Sequence, residues 1–258
     1  MGVLALAFSV ISAVAYGVAP LIYRPALQCT SQYRAVGLFS LYSIALGLVL
    51  PWRGFDPRGV LSAVSAALLG GVVGSWLYVT SVKAGGAAVG NISSSLYIVL
   101  LPLVAGHYRL LPAALLVLLG LIVASAHSSG ARRGGAYGVA AAVTWTGSIS
   151  LYASAVDLLG PGGALLTRGV VVFFATLLLG AGGSVCRVGR LILGGFVDTF
   201  VGFGAYTFAV SIGDYVTVSL VMSSYPLITA LFERPFMWRR AAGASIAVLG
   251  LALVALIG

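Results

Sequence analysis

Tyr78-Val79-Thr80-Ser81-Val82-Lys83-Ala84-Gly85 returns in outline as Tyr206-Thr207-Phe208-Ala209-Val210-Ser211-Ile212-Gly213, keeping Tyr, Val and Gly at a spacing of 128 residues. Working outward from this stretch, further matches follow in order. Ser95, Leu96, Pro102 and Leu103 match Ser219, Leu220, Pro226 and Leu227 at a spacing of 124, and Leu119-Gly120-Leu121 matches Leu249-Gly250-Leu251 at 130. Upstream, Ala13, Val14 and Tyr23 match Ala142, Val143 and Tyr152 at 129. The chain reads as two related halves, residues 1–130 and 131–258, forming one compact membrane domain.

Composition sets the solvent. With 60% hydrophobic and 7% charged residues, and a mean hydropathy of +1.12, there is too little polar surface to cover a soluble globule. A helix crosses a hydrocarbon core about 30 Å thick with about 20 apolar residues, and it pairs its own backbone polar groups inside the segment. The apolar runs have that length and lack the alternation of a lipid-facing barrel strand. Breaks at Gly, Pro and Arg predict helices over 3–23, 34–50, 60–82, 87–106, 110–127, 135–156, 163–181, 190–211, 214–232 and 241–257. The expected fold is an all-α integral membrane protein of ten transmembrane helices. Five helices per half is an odd number, so related halves must enter the bilayer from opposite sides, which gives two inverted five-helix repeats. The spans leave only short connections, so any chemistry lies within the bundle. Met1–Ala19 lacks a basic n-region and reads as a retained first helix rather than a cleaved signal.

Several features resemble the drug/metabolite transporter superfamily in its EamA-like ten-helix form. They are Tyr33-Arg34-Ala35 and Thr167-Arg168-Gly169 near the start of each half's second helix, and Leu101-Pro102-Leu103 and Tyr225-Pro226-Leu227 in each fourth helix. Glu233-Arg234, Gly243-Ala244-Ser245 and Leu249-Gly250-Leu251 add to the likeness. His107-Tyr108-Arg109 departs from it, standing where an acidic residue is usual. The resemblance implies a multi-pass carrier of the cell membrane. Such a carrier moves small metabolites, amino acids or drugs, often outward, by alternating access through a cavity lined by the first, third and fourth helices of each half.

Intramembrane acids are the first place to look for coupling. Asp56, Asp157 and Glu233 lie at helix ends beside basic residues or solvent, and Asp214 stands where a helix N-terminus favours a carboxylate. Asp198 lies eight residues beyond Arg190, about 12 Å along a helix and near the bilayer midplane. Its aligned position in the first half is Gly70, and Arg168 is its candidate partner. Protons are the coupling ion this position suggests. The other expected substrate-binding residues are aromatic or small and polar: Tyr16, Trp76, Tyr78, Asn91 and Ser95 in the first half, and Trp145, Tyr152, Tyr206 and Ser223 in the second. Each of these side chains also has an ordinary packing role, since Tyr and Trp gather at membrane interfaces and Ser permits close helix contact. Pro20, Pro102 and Pro226 each remove a backbone hydrogen bond inside a predicted span and are the expected hinges.

The net charge of +9 reads as topology and not as affinity for nucleic acid, because no polar face gathers the basic residues. Odd-numbered connections and the adjoining helix start hold Arg24, Arg34, Lys83, Arg132, Arg133, Arg187, Arg190, Arg234, Arg239 and Arg240. Even-numbered connections hold Arg53, Arg58 and Arg109. The positive-inside rule then places both termini outside, whereas the resemblance implies cytoplasmic termini. Cys29 and Cys186 fall on the basic side, which this rule makes reducing, so free thiols are expected. No phosphate-cradling Gly-Lys-Ser/Thr loop and no His-Glu-x-x-His is present, and His107 and His127 are the only histidines. No cofactor, metal site or catalytic activity is expected. The partners are the lipid bilayer and a small-molecule substrate. The rival reading is a non-transporting membrane subunit, or an enzyme acting on a lipid-linked substrate.

Overall fold

The fold was analysed in a computed structural model that describes residues 2–125, 131–232 and 238–257. All regular structure among them is helical: α1 (Val3–Leu27), α2 (Gln32–Val49), α3 (Pro57–Gly85), α4 (Ala87–Val104), α5 (Leu111–Ser125), α6 (131–159), α7 (161–179), α8 (Val188–Ile212), α9 (215–232) and α10 (Trp238–Ile257). Five stretches are long and apolar enough to cross a membrane: α1, α3, α4, the 48 residues Arg132–Leu179 and α8. Glu233, Arg234 and His127 lie outside the described residues, as does the boundary expected at 130/131.

Residues 131–179 would form one rod of about 70 Å were they straight. Gly160 reverses them. Its φ of 78° lies where side chains with a Cβ are disfavoured, and the reversal is pinned to the connection before α3. There the Arg53 N–H donates to Leu159 O at 2.9 Å and the Gly162 N–H donates to Pro51 O at 3.0 Å.

In lipid, helices associate through close packing and not through exclusion of water, so small residues mark the contacts. A Cβ built on Gly47 would lie 2.5 Å from the backbone of Leu166, and one on Gly169 would lie 2.8 Å from that of Ile44. These contacts, with Gly37 beside Thr176, run α2 antiparallel to α7. Gly120 against Ala247 and Gly250 against Val117 do the same for α5 and α10. Gly194, Gly202 and Gly213 of α8 meet Tyr23, Ala15 and Ala5 of α1 in reverse order. Gly70, Gly74 and Gly138 set α3 antiparallel to α6 in the same way, against Ser148, Trp145 and Ser81.

Two local devices occur once in each half. Ala67–Gly74 within α3 and Phe196–Phe203 within α8 are π-helical, wider turns of a kind that often marks functional positions. α4 breaks at 95–96, between Ala87–Ser94 and Tyr97–Val104, and α9 breaks at 223–224, between Tyr215–Met222 and Tyr225–Phe232. The breaks lie 128 apart, so Tyr97 answers to Tyr225 and Asn91 to Ser219. This register corrects the match of Pro102 with Pro226. Pro102 lies inside the second segment of α4, whereas Pro226 is the second residue of its segment, where a missing N–H breaks no helical bond. The shared feature is the break and not the proline. Pro20 is buried inside α1, which continues past it and past Pro25 to Leu27.

The two cysteines also depart from expectation. Cys29 and Cys186 are joined as a disulfide, with Cα atoms 5.9 Å apart. Their connections are zipped together around it: the Ser31 N–H donates to Ser184 O at 2.9 Å, Ser184 Oγ donates to Cys29 O at 2.8 Å, and the Cys186 N–H donates to Thr30 Oγ1 at 3.1 Å. Charge counting could not see a pairing 157 residues apart that the α1–α8 contact creates. Maleimide labelling of the denatured, unreduced chain is expected to find no reactive thiol, and labelling after reduction to find two. Two thiols before reduction would refute the pairing.

Candidate functional site

A cavity of about 140 Å³ opens at the centre of the bundle, lined from both halves. The first half contributes Tyr16 and Tyr23 from α1, Phe39 and Ser40 from α2, and Gly70, Gly71 and Tyr78 from α3. Tyr97 of α4 completes that side. The second half contributes Trp145, Ser148 and Tyr152 from α6 and Arg168 from α7. Asp198, Thr199, Phe203 and Tyr206 of α8 and Met222 and Tyr225 of α9 close the ring.

Aromatic contacts make the wall stiff. Trp145 lies between Tyr78 and Tyr97, with centroids at 5.2 and 6.3 Å, and Phe203 lies between Tyr152 and Tyr206, at 5.0 and 5.8 Å. Most of the phenols are tied to protein. Tyr78 donates to Asn91 Oδ1, Tyr206 pairs with Ser219 Oγ at 3.0 Å, and Tyr152 donates to Thr207 Oγ1 at 2.8 Å, whose own proton goes to Phe203 O. The Tyr78–Asn91 and Tyr206–Ser219 bonds are one device, each spanning 13 residues from a third helix to a fourth.

The π turns shape the polar part of the cavity. In α3, Gly70 presents its carbonyl, which accepts from Trp145 Nε1 and from Ser75 Oγ, each at 3.2 Å. At the corresponding place in α8 stands Asp198, whose Oδ2 accepts from Thr199 Oγ1 at 3.3 Å. Arg168 crosses from α7 with its guanidinium 4.1 Å over the ring of Phe203 and beside Gly71, where a Cβ would lie 3.6 Å from it. Arg168 and Asp198 face the same cavity, yet among the described residues neither forms an ion pair with the other or with any third group. Both charges come from the second half, and Phe39 and Gly70 hold the matching places in the first.

Six of the expected binding residues meet at the cavity: Tyr16, Tyr78, Trp145, Tyr152, Asp198 and Tyr206. Four do not. Trp76 stacks on Tyr33 at 5.8 Å and meets Tyr137 edge-on. Asn91 is fully buried and bridges three helices, donating to Thr229 Oγ1 at 2.6 Å, which in turn donates to Gly17 O at 2.6 Å. Ser95 donates to Asn91 O at 2.6 Å, and Ser223 donates to Leu220 O. A buried amide or hydroxyl needs partners, and these found theirs in the protein. Arg168 was legible as a binding residue but was read as lying near a helix start. It is seven residues past Pro161, about two turns deep, whereas Arg34 really is in the first turn of α2. The depth arithmetic that singled out Asp198 singles out Arg168 as well. Asp214 caps α9 as expected, accepting from the Thr217 N–H at 2.8 Å, and Asp56 caps α3. Among the described residues no cluster of three or more His, Cys, Asp or Glu side chains could hold a metal ion.

No protein-family model matches the chain, and no curated protein matches it. Among solved structures, a crystal structure described only as that of a protein is similar, with a TM-score of 0.74 over 98% of this chain and 96% of that one, at 17% sequence identity. That similarity is one of fold.

Proposed function

We propose that the chain is a secondary carrier of compact zwitterionic metabolites, small amino acids being the simplest, that moves them across the cell membrane by alternating access. Two five-helix repeats, 1–130 and 131–258, are threaded in opposite senses. In such an arrangement each helix runs antiparallel to its counterpart five helices later, and the α2–α7 and α5–α10 contacts support this. So do the paired π turns, the paired helix breaks and the two Tyr-to-fourth-helix bonds. The EamA-like resemblance agrees and implies export.

The observation that carries the substrate class is Arg168 and Asp198 facing one cavity without touching each other. A charge at mid-depth is unfavourable by about 3 kcal/mol on insertion scales, and such charges are ordinarily paired. Two opposite charges held apart across a cavity are each completed by a molecule that carries both signs. A guanidinium fork suits a carboxylate, and a carboxylate among aromatic rings suits an ammonium. Volume limits the rest. A cavity of about 150 Å³ holds benzene, so this one takes about six non-hydrogen atoms, the size of alanine.

Thermal unfolding of the purified protein with added ligand tests the reading. L-alanine at 100 times its Kd is expected to stabilise the protein by about 2.7 kcal/mol, while acetate, methylamine and L-phenylalanine at equal concentration stabilise it less. An unmoved midpoint with every compact amino acid, or equal shifts with acetate, would reject a zwitterion site.

A further inference from the structure

We propose that Tyr97 is a substrate-contacting specificity residue, whose hydroxyl makes the cavity prefer a compact zwitterion bearing a third hydrogen-bonding group over its methyl isostere. The proposal rests on the zwitterion reading above and adds a corner to it.

Tyr97 is 1% exposed and lines the cavity, yet its hydroxyl has no hydrogen-bond partner. Its counterpart shows what is missing. Tyr225, 128 residues on and likewise the first residue after a helix break, has its hydroxyl held by Ser94 Oγ at 3.1 Å and Ser95 Oγ at 3.3 Å. The residues that stand to Tyr97 as those serines stand to Tyr225 are Met222 and Ser223. Met222 offers only a thioether, a weak acceptor. Ser223 gives its proton to Leu220 O. Ser219, in the place of Asn91, is occupied by Tyr206. The repeat thus satisfies one tyrosine and leaves the other bare, on the wall of the same cavity that holds Arg168 and Asp198.

A buried hydroxyl without a partner is unfavourable, and the cavity is the direction from which a partner can come. Arg168 only donates and Asp198 only accepts, so they use up the carboxylate and ammonium of a zwitterion. A phenol does both, and it is left to meet a side-chain hydroxyl. Sites built to hydrogen-bond a substrate group discriminate against analogues lacking it, because their own polar group is then left unpaired.

The test compares L-serine with L-2-aminobutyrate, which has a methyl group in place of the hydroxyl, by calorimetric titration of the full-length protein in detergent. Wild type is expected to bind L-serine about tenfold more tightly. Tyr97→Phe is expected to bring the two within twofold while its melting temperature stays level or rises, since no protein bond is lost. Tyr225→Phe, which loses its serine partners, should melt lower. A serine preference that survives in Tyr97→Phe, no preference in wild type, or a lower melting temperature for Tyr97→Phe would each overturn the role of Tyr97 and leave the zwitterion reading standing. Failure of both ligands to bind wild type would instead overturn that reading, and this proposal with it.

Discussion

Replacing Arg168 with Ala is expected to weaken L-alanine binding by about 30- to 150-fold without unfolding the protein. The estimate follows from the loss of charge-assisted hydrogen bonds, about 2–3 kcal/mol for a bidentate contact to a carboxylate. Stability should change little because Arg168 makes no ion pair among the described residues, and its main protein contact is the face of Phe203. An exposed contact of that type contributes about 0.5–1 kcal/mol. Removing an unpaired charge from mid-depth offsets part of this loss. Arg168→Lys is expected to recover only a fraction of the affinity, since an ammonium cannot reproduce the planar fork. Calorimetry and thermal unfolding on the same variants separate the outcomes. A variant that melts much lower while binding L-alanine as tightly as wild type would make Arg168 a structural residue.

Asp198→Asn is expected to remove the response of transport to an imposed pH gradient. The substitution keeps the shape and abolishes the charge. In wild type an ionised Asp198 holds the substrate ammonium, and protonation removes that attraction. Acid on the side to which the cavity opens therefore promotes release there, and a proton carried back on the carboxylate resets the site. Efflux should rise as the receiving side is acidified, and the Asn variant should be slower and flat across the same range. The charged neighbour that tunes this response is Arg168, which holds Asp198 ionised as long as it is present. An Asn variant with full pH dependence would assign the coupling to another group.

The sequence made the solvent class and the helix spans readable because a bilayer imposes length and hydropathy directly. Every predicted span overlaps an observed helix. Asp198 was legible for the same reason, as a carboxylate where hydrocarbon penalises one. What could not be read depends on contacts between distant residues. Asn91 has the composition of a ligand, but Tyr78 and Thr229, 13 and 138 residues away, had already claimed it. The spacing of 124 that matched Pro102 with Pro226 came from two prolines in similar surroundings. The helix breaks, which leave little trace in composition, restore one register of 128. The π turns are a backbone choice with no residue signature, so nothing in Phe196–Phe203 announced that Asp198 sits on a widened turn. The disulfide pairs two connections that only the α1–α8 packing brings together.

Substrate counterflow in proteoliposomes tests the central claim most directly. Vesicles containing the purified protein are loaded with unlabelled L-alanine and diluted into a trace of labelled L-alanine. A carrier that exposes the Arg168–Asp198 cavity to each side in turn accumulates label transiently above its outside concentration, and Arg168→Ala abolishes the overshoot. Equal label in protein-containing and protein-free vesicles, across the compact amino acids, would contradict the account.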